Sequence, residues 1–206
     1  MSHPTPSRKK LERLLDRRNE HPEQLAAIDH QIVTLFEDQR AILVLDMCGF
    51  SRLTIRHGII HYLAMIRRMQ TAVLPLIDAG RGKLVKTEAD NVFATFDSVP
   101  DALRTAHEIH RTLERANAAL PADWDVHVGI GIGFGPLLLI GSDDVYGSEM
   151  NLASKLGEDL AEAGDVLLTD AAFLRVGTSK RRFIKKNAAM GRLRFVYHRA
   201  KRAHGE

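Results

Sequence analysis

The segment from 126 to 135, VHVGIGIGFG, limits the fold more than any other stretch of this chain, because glycine recurs at 129, 131, 133 and 135. A period of two is a strand period. It places all four glycines on one face and Val128, Ile130, Ile132 and Phe134 on the other. A face without side chains buries little by itself, so the pattern makes sense only if something bulky is laid closely against the backbone. PLLLIG then continues the strand.

Around this strand the pattern predicts a mixed fold. AILVLDM, from residue 41, reads as a buried strand ending in an acid, and 58–79 as a long helix despite Pro75. GKLVKT and NVFATF are short strands flanking the tight segment Glu88-Ala89-Asp90-Asn91, a hairpin pattern. Residues 99–118 form an amphipathic helix with Leu103, Ala106, Ile109 and Leu113 on one face. Residues 147–163 read as a helix closed by Gly164. DVLLTD, RRFIKK and LRFVYH supply later strands. The order β-α-β-β-α-β is that of the ferredoxin-like split βαβ unit, so the expected class is α+β with additional C-terminal strands. Ahead of it, 8–37 reads as two helices, with Pro22 suited to the first turn of the second. Leu25, Ile28, Ile32 and Leu35 form a short stripe that fits packing on the same domain or on a second copy. The expected organisation is a helical extension over 1–37, a domain over 38–200 and a tail over 201–206.

Composition narrows the function classes. One cysteine in 206 residues excludes a disulfide scaffold and a Cys-rich zinc site. No apolar run approaches the roughly 20 residues of a membrane span, and MSHPTPSRKK lacks the apolar core of a signal peptide, so a soluble, cytoplasmic chain is expected. Charge is uneven: residues 41–170 carry net −7 and 171–206 net +10. The basic end lacks the interleaved aromatics of a base-stacking platform, so nucleic acid is not the expected partner. GRGK at 80–83 lacks the spacing of a phosphate-binding loop. His107 and His110 read as a solvated helix edge, and Cys48 as a small core residue.

Six polar positions stand out. Asp46 ends the first strand and Asp90 lies in the hairpin. In this topology their strands can neighbour each other, and two close carboxylates repel unless one is protonated or a cation lies between them. Spacing alone leaves open whether they bind a hard divalent ion or cap strand ends. Lys86 precedes Asp90 by four residues. Asp144 precedes Gly147, and Asn151 and Lys155 share a helix face at i, i+4. Singly, each also fits an ordinary surface role.

Jointly, these blocks resemble the class III nucleotidyl cyclase catalytic domain, the adenylate and guanylate cyclase family. The resemblance lies in AILVLDMCGFSRLT, GKLVKTEADNVFATF, VHVGIGIGFGPLLLIG with DVYGSEMNLASKL, and GDVLLTD, in that order over roughly 38–199. It implies a homodimer with sites shared across the interface. Asp46, Asp90 and the Met47 carbonyl would hold two Mg²⁺ or Mn²⁺ ions. Lys86 and Asp144 of the other copy would read the base, and Asn151 would orient the ribose. Lys155 would stand where the family has its transition-state arginine. The lysine–aspartate pair matches adenine, so the expected reaction is ATP to cyclic AMP and pyrophosphate. The sequence departs from the family at three points: Lys155 itself, Ala89 where glycine is usual, and Met190 where a triphosphate-binding lysine is often found, with Lys185, Lys186 or Arg192 as substitutes. These departures keep a second reading open, a catalytically weak cyclase-like domain that binds nucleotide or a protein partner.

Overall fold

The structure is a computed structural model that describes residues 6–141, 143–191 and 193–201. Two helices open it, α1 (Arg8–Glu20) and α2 (Leu25–Phe36), followed by β1 (Glu37–Met47), α3 (Phe50–His57), α4 (Ile59–Ala79), β2 (Lys83–Glu88), β3 (Asn91–Phe96) and α5 (Val99–Asn117). Then come β4 (Val128–Ile140), β5 (Asp144–Tyr146), α6 (Ser148–Ser154), β6 (Val166–Thr169), α7 (Asp170–Leu174), β7 (Phe183–Met190) and β8 (Leu193–Ala200). The strands form one sheet in the order β2-β3-β1-β4-β6-β8-β7, with β5 paired to β4. β4 and β6 run parallel; the other pairs are antiparallel. The first half, β2-β3-β1-β4 with α3/α4 and α5 as crossovers, is the expected βαββαβ core, and β6 to β8 are the additional C-terminal strands.

Strand alternation sorts the side chains into two layers. Ala41, Leu43, Leu45 and Met47 of β1 point toward α4 and α5 and pack with Tyr62, Met65, Met69, Val73, Ala106 and Ile109. Ile42 and Val44 point the other way, into a smaller core with Phe93, Leu137, Val145 and Ala153. The glycines of β4 face this second side. A Cβ on Gly131 would lie 2.0 Å from the Ala153 carbonyl oxygen, and one on Gly133 2.6 Å from that of Glu149. The bulky neighbour expected against the glycine face is therefore the backbone of α6. Apolar burial on the α4/α5 side holds the sheet, and close backbone approach on the other holds α6.

Three elements differ from the sequence reading. The helix expected over 58–79 forms as α4, but a further helix outside that expectation, α3, precedes it, set off by Gly58, whose φ of 82° leaves the helical region. The helix expected to reach 163 ends as α6 at Ser154 and widens into a π-helical turn over Lys155–Leu160. That turn lays Gly157 on the sheet, where a Cβ would stand 2.8 Å from the Val44 carbonyl oxygen, so tertiary contact rather than local propensity shapes it. β1 begins at Glu37, directly after α2.

The stripe on α2 resolves toward the chain's own domain. Ile28, Ile32 and Phe36 are buried with Leu11 and Leu14 of α1 and Ile140 at the end of β4. The basic C-terminal stretch also has a structural place: Lys185 and Lys186 are exposed on β7, an edge strand, where lysines disfavour further strand addition. Among the described residues no helix is long and apolar enough to cross a membrane.

Candidate active site

The site residues gather on the face of the sheet that carries α6. Asp46 follows Ile42 and Val44 in the β1 alternation and so leaves the strand on that side. Asp90 sits in the two-residue turn between β2 and β3, beside Ala89. Burial first, and then the charges of Asp90 and Glu158, push the Asp46 carboxyl up to about 7. The two acids are thus brought together as their strand order allows. The Tyr62 hydroxyl, at the start of the buried stripe of α4, donates to Asp90. Tyr62 was not singled out from the sequence. Its signal was present, since a tyrosine on a buried apolar stripe needs a partner for its hydroxyl. Glu158, on the π turn, is a further acid that spacing alone did not connect to Asp46.

This pocket of oxygen donors suits a hard divalent cation: two crowded carboxylates, one of them made harder to ionise by burial and then by its neighbours' charges, are relieved by positive charge between them. Among the described residues no group of three His, Cys, Asp or Glu side chains is set to enclose a metal. Such sites with one or two carboxylates leave positions for substrate phosphates and water. Met47 is buried in the core by its side chain, which leaves its carbonyl as the group available to an ion.

Lys86 and Asp144 meet although they lie on β2 and β5, on opposite sides of the strand order. The Lys86 Nζ is 3.2 Å from Asp144 Oδ1 and 3.0 Å from Glu88 Oε2, and stands 5.0 Å from the Phe93 ring centre. Burial opposes the charge on Lys86, but contact with Glu88 and Asp144 outweighs it and raises the pKa. Burial likewise opposes the Asp144 charge. Donation from Arg8, Tyr146, the Val145 N–H and Lys86 overrides it and holds the carboxyl down at about 2. Arg8 and Tyr146 were not recognised in the sequence, since nothing in spacing links residue 8 to residue 144.

Asn151 is exposed on α6, and Lys155 opens the π turn with its N–H donating to the Asn151 carbonyl, so the two keep i, i+4 spacing. Ala89 takes φ 51°, so alanine stands in the left-handed region where the sequence raised the need for glycine. Lys185 and Lys186 are exposed on β7; the Met190 side chain and Arg192 lie outside the described residues. Cys48, next to the site, is pushed up to about 11 by burial and by the charges of Asp46 and Asp165, as expected of a packed thiol rather than a reactive one.

No protein-family model matches the chain. Among curated proteins it is similar to putative adenylate cyclase 3 of Rhizobium meliloti, 29% identical over 130 residues, which is 63% of this chain and 22% of that protein. It is also similar to an adenylate cyclase of Streptomyces coelicolor, 29% identical over 156 residues, 73% of this chain and 39% of that one. The chain therefore spans well under half the length of these relatives. Among solved structures, an adenylate/guanylate cyclase/hydrolase from Silicibacter pomeroyi superposes with a TM-score of 0.69 at 25% identity, covering 81% of this chain and 98% of that one. The guanylyl cyclase Cya2 shares the fold, with a TM-score of 0.67 at 16% identity over 80% of this chain and 92% of that one. In sequence and in fold together, the chain is similar to adenylate and guanylate cyclase catalytic domains.

Proposed function

We propose that this domain is an adenylate cyclase, converting ATP to 3′,5′-cyclic AMP and pyrophosphate at sites shared between two copies of the chain. The observation that carries the choice of base is the Lys86–Asp144 pair, 3.2 Å apart. An ammonium only donates and an ionised carboxylate only accepts. Adenine presents an acceptor at N1 beside a donor at its 6-amino group, which this pair completes. Guanine presents the reverse, and a site that leaves such groups unpaired rejects the wrong substrate strongly.

Asp46, Asp90 and the Met47 carbonyl would hold two Mg²⁺ or Mn²⁺ ions. When bound, these supply positive charge to the phosphates and lower the pKa of the 3′-hydroxyl. The chain's own residues position the reaction. Asn151 orients the ribose so that its 3′-oxygen faces the α-phosphorus. Lys155 offers a cation to the charge that develops there. The bond from the 3′-oxygen to the α-phosphorus forms, the bond from the α-phosphorus to the departing pyrophosphate breaks, and the 3′-hydroxyl proton is released. By the family resemblance, one copy contributes the acids and its partner the base-reading pair. A second reading, a domain that binds nucleotide and turns over slowly, is favoured by Lys155 and by Ala89 at φ 51°.

The test is product formation by the purified chain with Mn²⁺-ATP and, separately, Mn²⁺-GTP, beside Asp46→Ala. Cyclic AMP that exceeds cyclic GMP and vanishes in the variant is the expected result. Full activity in Asp46→Ala overturns the metal assignment. ATP binding with no product from a folded protein selects the second reading.

A further inference from the structure

We propose that Arg8, in the first turn of α1, is a positioning residue of the nucleotide site, holding the Asp144 carboxylate in the orientation that receives the base, so that α1 is part of base selection. This rests on the reading of Asp144 as the contact to the adenine amino group.

Four donors converge on the Asp144 carboxylate. Oδ2 accepts from Arg8 Nη2 at 3.0 Å and from the Tyr146 hydroxyl at 2.9 Å. Oδ1 accepts from the Val145 N–H at 3.0 Å and faces Lys86 Nζ at 3.2 Å. Together they use the roughly four acceptor positions of a carboxylate. The arrangement is divided by oxygen. Lys86, a point charge on a flexible stem, can turn to N1 of an entering purine and free a position on Oδ1 for the amino group. Arg8 and Tyr146 hold the other oxygen and can stay.

The placement of Arg8 is built, not incidental. The Gly141 N–H donates to the Pro6 carbonyl at 3.2 Å, tying the chain just before α1 to the turn that leads into β5. Leu11 and Leu14 of α1 are buried with Ile140, the last residue of β4 before that turn. Locally, the start of α1 is unfavourable. Ser7 at its N-cap makes no capping hydrogen bond, and the first turn holds Arg8, Lys9 and Lys10 and no acid, against the positive end of the helix dipole. A helix start that breaks the local rules finds compensation elsewhere, and for Arg8 the compensation is Asp144.

The experiment compares the full chain with Arg8→Ala, Arg8→Lys and Asp144→Asn. It reads KM and kcat for Mn²⁺-ATP and Mn²⁺-GTP, and thermal-shift titrations with each nucleotide. Losing one charge-assisted hydrogen bond to the base-reading carboxylate should raise KM for ATP about tenfold in Arg8→Ala, with kcat changed less than about threefold. The preference for ATP over GTP should narrow, the ATP titration should weaken in step, and Arg8→Lys should recover part of both. A purely structural role would not move base preference. Unchanged KM and preference in Arg8→Ala overturn the proposal, as does a rise in kcat without loss of ATP affinity, which would make Arg8 a restraint. If Asp144→Asn itself leaves base preference unchanged, the reading of Asp144 fails. If Asp144→Asn shifts it and Arg8→Ala does not, only the role of Arg8 fails.

Discussion

Gly131→Ala tests the idea that a side-chain-free strand face exists to seat α6. The added Cβ would meet the Ala153 carbonyl oxygen at 2.0 Å, the Gly157 nitrogen at 2.7 Å and the Ala153 carbonyl carbon at 3.0 Å. All three are backbone atoms, so no rotamer change relieves the contact; the helix must move by more than an ångström or the strand must bend. Overpacking that displaces backbone costs about 3 kcal/mol or more. For a chain of this size that is a fall in Tm of roughly 6–12 °C. The displaced segment carries Asn151 and Lys155, so the proposed cyclase activity should fall as well. Gly135→Ala is the graded comparison: its Cβ would meet Glu149 Cγ at 2.8 Å, a side-chain rather than a backbone atom, although that side chain is held by the Phe134 N–H and the Thr169 hydroxyl. That variant should lose less than Gly131→Ala, about 1–2 kcal/mol, because one side chain rather than a backbone segment has to shift. The assay is urea unfolding of both variants followed by fluorescence, with turnover measured in parallel. Equal midpoints for Gly131→Ala and Gly135→Ala would refute the argument that backbone contact, rather than mere glycine content, explains the motif.

Other predictions concern the site itself. With a chelator present, stability should fall as pH rises from about 4 to 7, because folded Asp46, at about 7, keeps a proton that the unfolded chain, near 3.8, has already lost. That difference sets a ceiling near 4 kcal/mol, reduced to roughly 1–2 kcal/mol because Asp46 is partly exposed. Asp46→Asn should therefore be more stable than the wild type at pH 8 but not at pH 4.5, and thermal melts that stay parallel across that range would count against it. Ala89→Gly should stabilise the protein by about 1 kcal/mol, since alanine at φ 51° sits in the left-handed region; chemical denaturation measures this, and a loss of stability would refute it. Lys155→Arg should raise kcat by up to about tenfold, because a planar guanidinium grips phosphate with two hydrogen bonds where an ammonium offers one point of charge. Steady-state rates at saturating Mn²⁺-ATP decide that, with unchanged or lower kcat as the contrary result.

Much of the architecture was legible along the chain because it is written in local periods. The alternation through Val128–Phe134, the apolar run before Asp46 and the stripe on α5 each specify an element and the face it buries, and their order specifies the ferredoxin-like core. The glycine face announced a close neighbour. The family resemblance located Asp46, Asp90, Lys86, Asp144, Asn151 and Lys155 as a set, and four of these the fold gathers as two pairs, Asp46 with Asp90 and Lys86 with Asp144.

Tertiary structure decided what depends on groups distant in sequence. The π turn after Ser154 answers to how a helix meets the sheet, which no local pattern encodes. Tyr62 reaches Asp90 across 28 positions and Arg8 reaches Asp144 across 136. Such pairs have no period to betray them. They exist because the hydroxyl of a buried tyrosine and the charge of a half-buried carboxylate must find partners wherever the fold brings them. The sequence by itself therefore determined the elements, their order and the candidate chemistry. Only the packed chain decided how the carboxylates are held, which of them burial pushes upward, and that the first helix brings Arg8 to Asp144.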